Sequence, residues 1–192
     1  MQLALPESAQ DKLLAYLDLL AKWNRAYNLT GVRDPADMVA KHLLDSLAAL
    51  PYLYGATLAD IGSGGGLPGI PLAIAREDLA VTLIESNGKK ARFLREAARS
   101  LPLPNVRVVE ARVQAAAGLF DTVTCRAFAS LADMLLWGGH LLAPGGRWLA
   151  LKGRLDRNEV AGVQPAFRVV AIHSPTVPGI DGERCVIELE RA

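Results

Sequence analysis

Leu58-Ala59-Asp60-Ile61-Gly62-Ser63-Gly64-Gly65-Gly66-Leu67-Pro68-Gly69 is an apolar run that closes on an acidic residue and passes into a turn almost without side chains. It reads as a strand running into glycines that open a helix, with Pro68 tolerable in that helix's first turn. Glycine lets the backbone adopt positive φ and approach a ligand closely. Five glycines between Gly62 and Gly69 are costly for packing alone. In open α/β sheets such a ligand lies at the carboxyl ends of the strands.

Two cofactor classes compete for this turn, beside the bland reading of a tight turn with no ligand. Gly64-Gly65-Gly66-Leu67-Pro68-Gly69 satisfies G-x-G-x-x-G, a pattern found in dinucleotide sites but weak when it stands alone. Asp60 argues the other way. A carboxylate at the strand tip would repel a pyrophosphate, yet it suits S-adenosylmethionine, which carries an ammonium and a sulfonium and no phosphate. Glu85, about 20 residues past the glycines, can hold ribose hydroxyls of either cofactor. The residues expected to bind the cofactor here are Gly62, Ser63, Gly64, Gly66, Leu67 and Glu85, with Asp60 central to the chemistry.

Beyond the turn, the rhythm of the chain predicts the fold. Short apolar runs at 57–61, 81–85, 106–110, 121–125 and 148–151 alternate with helix-like segments at 67–75, 89–101 and 131–142. Strand alternating with helix is the pattern of a parallel sheet covered on both faces. Pro144-Gly145-Gly146 reads as a tight turn feeding the fifth strand. Residues 167–173 and 184–189 read as two further strands, joined without a helix and therefore antiparallel. Before the first strand, residues 8–27 repeat apolar side chains at helical spacing, with Ser8 as a plausible N-cap. A second helix should start after Asp34-Pro35 and stop at Pro51. The expected architecture is a Rossmann-like α/β domain with a mostly parallel seven-stranded sheet and an antiparallel C-terminal strand. Residues 1–55 form a helical cap and 56–192 the cofactor-binding core of one domain.

Composition is permissive. The chain has 192 residues, 51% hydrophobic and 21% charged, which suits a folded single domain. Its two cysteines, Cys125 and Cys185, sit in no CxxC pair, so a zinc site or disulfide framework is not expected. No apolar run approaches the roughly 20 residues that span a bilayer. A cytoplasmic protein, monomeric and without a metal, is the expectation. The formal net charge of +1 means that any nucleic-acid contact must come from a local patch.

Several blocks then resemble one family. They are Lys22-Trp23-Asn24-Arg25-Ala26-Tyr27-Asn28-Leu29-Thr30, Lys41-His42-Leu43-Leu44-Asp45-Ser46 and the glycine turn with Leu67-Pro68-Gly69-Ile70-Pro71-Leu72-Ala73. Lys89-Lys90-Ala91-Arg92-Phe93-Leu94-Arg95, Arg126-Ala127-Phe128-Ala129-Ser130-Leu131 and Leu149-Ala150-Leu151-Lys152-Gly153 complete the set. In this order they resemble the bacterial small-subunit ribosomal RNA guanine-N7 methyltransferases, the glucose-inhibited division protein B family, over residues 13–189. The resemblance implies methylation of guanine N7 in the 530 loop of 16S ribosomal RNA, with the RNA or the 30S subunit as partner. It implies that Gly62 and Leu67 touch the cofactor, that Val113 and Gln114 sit against the adenine, and that Arg126 lines the pocket. The family often has an acidic residue where Gln114 stands.

Guanine N7 already carries an in-plane lone pair, so no proton need leave before it attacks a sulfonium methyl. The protein's work is then in-line positioning and electrostatics, without a general base. Cytosine C5 methylation would need a thiol nucleophile, for which Cys125 is a faint candidate against the plainer reading of a buried strand-end thiol.

For RNA, Lys89, Lys90, Arg92, Arg95 and Arg99 cluster on one helix, either as a solvated face or as a phosphate-binding patch. Lys152, with Arg154 and Arg157 nearby, would extend it. Asn28 could pair with a base edge, and His42 or Arg112 could contact phosphate or guide a flipped base; a lone histidine is more often structural, as a partner for Asp45 or a backbone carbonyl, and it is the resemblance that tips Asn28 and His42 toward the substrate side. Trp23 and Tyr27 read as core. Rival functions are methylation of another acceptor, NAD-dependent oxidoreduction, and non-enzymatic RNA binding during ribosome assembly.

Overall fold

The computed structural model describes residues 4–126, 129–163 and 165–192. Ala127 and Phe128, which belong to one of the blocks quoted above, lie outside the described residues. Helix α1 (Glu7–Tyr27) buries Leu13, Tyr16, Leu17 and Leu20 along the expected stripe. It starts one residue before Ser8, behind Pro6, and no side chain caps it. Ser8 is therefore a first-turn residue and not the cap, because Pro6 already sets the entry of the chain and its carbonyl accepts the Ala9 and Gln10 N–H groups. The helix ends where Asn28 turns left-handed (φ 50°) and returns its N–H to Asn24, a stop that asparagine tolerates.

The second helix is not regular. After α2 (Pro35–Met38), capped by the Asp34 side chain, the chain widens into a π-helical segment, Val39–Leu44, before α3 (Asp45–Leu47). A further short 3-10 turn, Leu50–Tyr52, carries Pro51. Inserted π turns rotate the residues that follow relative to a 3.6-residue repeat. Here the departure falls on Lys41, His42 and Leu43.

The strands are β1 (Thr57–Ile61), β2 (Ala80–Glu85), β3 (Val106–Glu110), β4 (Phe120–Arg126), β5 (Leu142–Lys152), β6 (Phe167–His173) and β7 (Cys185–Arg191). Among the described residues they form one seven-stranded sheet in the order β3-β2-β1-β4-β5-β7-β6. The first five are parallel, and β7 runs antiparallel to both β5 and β6. Pro144-Gly145-Gly146 is not a turn before β5. It lies within the strand, where pairing jumps from Phe120↔Leu142 to Thr122↔Arg147 and the extra residues are accommodated as an irregularity.

Two apolar clusters flank the sheet. One gathers α1 and the π segment with α4 (Gly69–Ala75) and α5 (Gly88–Ser100); the other gathers α6 (Leu131–Gly138) with residues of β5 and β7. Side chains alternate between them along each strand: Leu58 faces the first cluster, Ala59 and Ile61 the second. By the same period Asp60 on β1 and Arg126 on β4 point to the α1 side. The order of the sheet reverses between β1 and β4, and the crevice of such a fold opens at that reversal.

Candidate active site

The glycine turn is fastened from several sides. Gly62 donates to the Ile84 carbonyl at 2.9 Å, Gly66 to the Ser63 carbonyl at 2.6 Å, and the Ser63 hydroxyl to the Asp60 carbonyl at 2.8 Å. Gly64 (φ 57°) donates to Glu85 Oε2 at 2.9 Å. Its left-handed backbone, not lack of room, is what requires glycine there. At Gly69 the reason is space: a Cβ would collide with Leu83 and lie 2.7 Å from Asp60 Oδ2.

Asp60 stands at the strand tip, and its carboxyl is fully buried beneath the turn. The two-residue period of β1 sends it under α4, where Oδ2 accepts the Gly69 N–H at 3.0 Å. Oδ1 has no hydrogen-bond partner among the described residues. Burial pushes its pKa up to about 7, although the Gly69 N–H and the Arg126 charge pull the other way. The carboxyl thus occupies the start of α4, where a pyrophosphate would otherwise find N–H donors.

A cleft of about 420 Å³ opens beside the turn, lined by Gly62, Glu85, Lys90, Arg112, Val113, Gln114, Arg126 and Trp137. Glu85 is buried at the end of β2, each carboxylate oxygen accepting one backbone N–H, from Gly64 (2.9 Å) and Asn87 (2.8 Å). Val113 is buried in the 3-10 turn Val113–Ala115, while Arg112 and Gln114 flank it, less buried. Of the turn only Gly62 lines this cleft; Ser63, Gly64, Gly66 and Leu67 do not, and Ser63 and Leu67 are buried within the turn. Trp137, on α6, does line it and was not expected from the sequence.

A second cleft, about 390 Å³, lies on the α1 side and is lined by Lys41, His42, Asp45, Lys152, Gly153 and Arg184 among others. Arg126 belongs to both clefts. Its guanidinium donates to Asp45 Oδ2 at 3.1 Å and to the Lys41 carbonyl at 3.0 Å, and lies 3.5 Å from His42 Nδ1. His42 Nε2 shares a 2.8 Å hydrogen bond with the Thr30 hydroxyl, which also accepts the Val32 N–H at 3.1 Å. Thr30 is held in turn by Asn24, whose Oδ1 accepts the Thr30 N–H at 2.9 Å. Burial, together with the Arg126 charge, holds the His42 pKa below the ordinary histidine range. The other Asp45 oxygen accepts Arg184 Nε at 2.7 Å.

The structure thus gathers Arg126, His42 and Lys152 at one cleft, and Glu85, Arg112, Val113, Gln114 and Arg126 at the other. Asn28 lines neither and sits exposed as the stop of α1. Lys152 is partly neutralised, donating to the Ala129 carbonyl at 2.7 Å and pairing with Glu159 of α7 (Arg157–Ala161) at 3.1 Å. On α5, Arg95 pairs with Glu110 and Arg99 with Glu96, at 2.9 and 2.8 Å. Lys89 and Arg92 are exposed. Cys125 is buried against Met134, and burial raises its thiol pKa. Trp23 stacks on Tyr27 and tilts against Phe93, as core residues do. Among the described residues no three His, Cys, Asp or Glu side chains are grouped as metal ligands would be, and no helix is long and apolar enough to cross a membrane.

Residues that sequence reading missed are Asp45 as a junction for two arginines, Arg184, Thr30, Asn24 and Tyr16. Arg184 lies 139 positions from Asp45, and no local pattern announces that pairing. Tyr16, fully buried on α1, donates to the Gly65 carbonyl at 2.6 Å.

Comparison with known proteins places these features. A family model described as rRNA small subunit methyltransferase G (GidB) matches residues 9–187. The chain is 55% identical over 181 residues to the ribosomal RNA small subunit methyltransferase G of Xanthomonas campestris pv. campestris, covering 93% of this chain and 85% of that protein. It is 51% identical to the protein of the same name from Neisseria gonorrhoeae, covering 96% and 90%. Among solved structures, a point mutant of MtNAS in complex with S-adenosylmethionine is similar with a TM-score of 0.61 at 13% identity, covering 95% of this chain and 75% of that one. TrmN from Thermus thermophilus gives a TM-score of 0.58 at 20% identity, covering 77% and 47%. At these identities the likeness is one of fold.

Proposed function

The chain belongs to the rRNA small subunit methyltransferase G family, and from that premise we propose that it moves a methyl group from S-adenosylmethionine to N7 of a guanine in the 530 loop of 16S ribosomal RNA. The observation that carries this reading is the position of Arg126, a shared wall between the cleft at the glycine turn and the basic cleft under the cap. An in-line transfer needs the acceptor atom in direct contact with the donor methyl, and two clefts that meet at one shared residue bring the two sites that close.

The residues at the first cleft suit the donor. Glu85 keeps lone pairs beyond those used by Gly64 and Asn87, enough to accept ribose hydroxyls. Val113 offers an apolar face for the adenine, and the Gln114 amide can hydrogen-bond its edge. Gly62, where the turn meets the cleft without a side chain, leaves room for the methionine portion, with Leu67 packed within the turn behind it. Bound there, S-adenosylmethionine supplies an electrophilic methyl on a sulfonium. A dinucleotide suits the turn less well, since the Gly64 and Gly69 N–H groups that would meet phosphate already serve Glu85 and Asp60.

On the acceptor side the chain's task is orientation. Arg126 can donate to guanine O6, leaving the adjacent N7 lone pair free. Its pairing with Asp45 offsets its charge, so a cationic donor beside it is not repelled. Lys152, Lys89, Arg92 and Arg112 would meet phosphates, and Asn28 a flanking base. His42 we assign to holding Arg126 within the acceptor site, since both ring nitrogens are committed. The titratable groups at and near the clefts already have other tasks: Asp45 pairs with Arg126 and Arg184, Glu85 accepts the Gly64 and Asn87 N–H groups, His42 sits between Arg126 and Thr30, Asp60 is buried, and Cys125 is held as a thiol. An acceptor with a ready lone pair needs no general base. We further propose that the protein acts as a cytoplasmic monomer, one domain with its cap, and needs no metal.

Incubating the protein with unmodified 30S subunits or naked 16S RNA and labelled methyl donor, then mapping the label, tests the proposal. Label at one guanine N7 of the 530 loop is expected. Label on another acceptor, or RNA binding without methyl transfer, overturns it.

A further inference from the structure

We infer that Tyr16, on the cap helix, is a positioning residue for the cofactor turn: its hydroxyl fixes the Gly65–Gly66 peptide and with it the shape of the turn whose Gly62 lines the donor cleft. The inference rests on the donor binding in the cleft beside that turn.

Three glycines in a row, Gly64 to Gly66, give the chain its greatest freedom where a ligand needs a fixed surface. A trans peptide points its C=O and N–H in opposite directions. The Gly65 carbonyl faces α1 and accepts the Tyr16 hydroxyl at 2.6 Å, and the Gly66 N–H faces away and closes the turn on the Ser63 carbonyl at 2.6 Å. One phenol therefore decides both ends of that peptide plane. Flipping the peptide would break both bonds and strand a buried carbonyl.

Neighbouring contacts show that α1 is fitted to the turn. A Cβ at Gly65 would lie 3.1 Å from Leu20 Cδ1 and 3.6 Å from the Leu29 carbonyl oxygen. On the opposite side Gly64 is tied to Glu85, itself a wall of the cleft. Tyr16 is fully buried, and burial raises its pKa, so the hydroxyl stays a donor throughout the working pH range. A turn held in its bound shape spares the donor the entropy of ordering it.

Tyr16→Phe removes only the hydroxyl. Titration calorimetry with S-adenosylhomocysteine should show the Kd raised about tenfold, as removal of one buried hydrogen bond to the bound-state shape predicts. KM for the methyl donor should rise in parallel, with kcat and affinity for 30S subunits within about twofold of the parent. Leu13→Ala serves as control: it loosens the same helix and lowers the melting temperature but keeps the phenol, so its Kd should stay unchanged. A Tyr16→Phe Kd within twofold of the parent, despite a lower melting temperature, overturns the inference and leaves Tyr16 a packing residue.

Amide hydrogen exchange of the free protein separates this from the donor reading. Gly66 should exchange at least tenfold faster in Tyr16→Phe than in Leu13→Ala. Equal protection overturns the inference. Failure of the parent to bind S-adenosylhomocysteine overturns the donor reading, and the positioning role in the cofactor site with it.

Discussion

The carboxyl of Asp60 has no solvent exposure and gives Oδ2 to the Gly69 N–H at 3.0 Å, while Oδ1 meets no donor among the described residues. Its pKa of about 7 lies above the ordinary 3.8, so between those pH values the folded chain holds more proton than the unfolded one. Stability must therefore fall as pH rises toward 7, with the full cost present above it. Asp60→Asn should be more stable than the parent at pH 8 by on the order of 2–4 kcal/mol, and so melt higher, with the advantage gone near pH 4. The same variant should also weaken methyl transfer, acting through the start of α4 and the glycine turn that Asp60 holds and not by contact with the reacting groups. Parallel melts and labelled-methyl assays check both; a pH-independent difference would show that Asp60 is not what titrates. Arg126→Ala should also drop transfer by about a hundredfold or more, yet keep its circular dichroism spectrum, because Asp45 retains Arg184 at 2.7 Å.

Helices differ in how openly the sequence declared them. The apolar stripe of α1 and the span of α5 were legible from period alone, because both are regular and amphipathic. The segment after Pro35 was not, because a π turn between Val39 and Leu44 breaks the 3.6-residue repeat on which the reading relied. That irregularity turns His42 and Asp45 toward Arg126. On α5 the basic run looked uniform in the sequence, but Glu110 and Glu96 take Arg95 and Arg99 in ion pairs. RNA binding should therefore depend unevenly on this helix. Replacing Lys89 and Arg92 with Gln should flatten the salt slope of 30S binding by about 2, one for each phosphate no longer neutralised, whereas Arg99→Gln should leave it unchanged. Equal slopes in all variants would make the whole face merely solvated.

For the molecule as a whole, ligand binding to the folded state alone must raise the melting temperature. S-adenosylhomocysteine at a hundredfold excess over its Kd should add about 2.7 kcal/mol, or roughly 5–10 °C for a chain of this size, and NAD should add nothing. A shift with NAD instead would reverse the choice between cofactors. The linear order of residues was enough for the alternating sheet, the turn with its glycines, Glu85 at the neighbouring strand end and the family blocks, since these follow from periods of two and 3.6 and from backbone freedom along contiguous chain. It also placed an acid, Asp60, at the strand tip, and only the third dimension shows that carboxyl buried beneath the turn. Packing in space settled that Asp60 lies beneath α4, that Arg126 stands between two clefts, and that Arg184, His42 and Tyr16 reach the site from distant segments. Such pairings depend on which faces of the sheet and cap are pressed together, and a local pattern carries no record of a partner more than a hundred residues away.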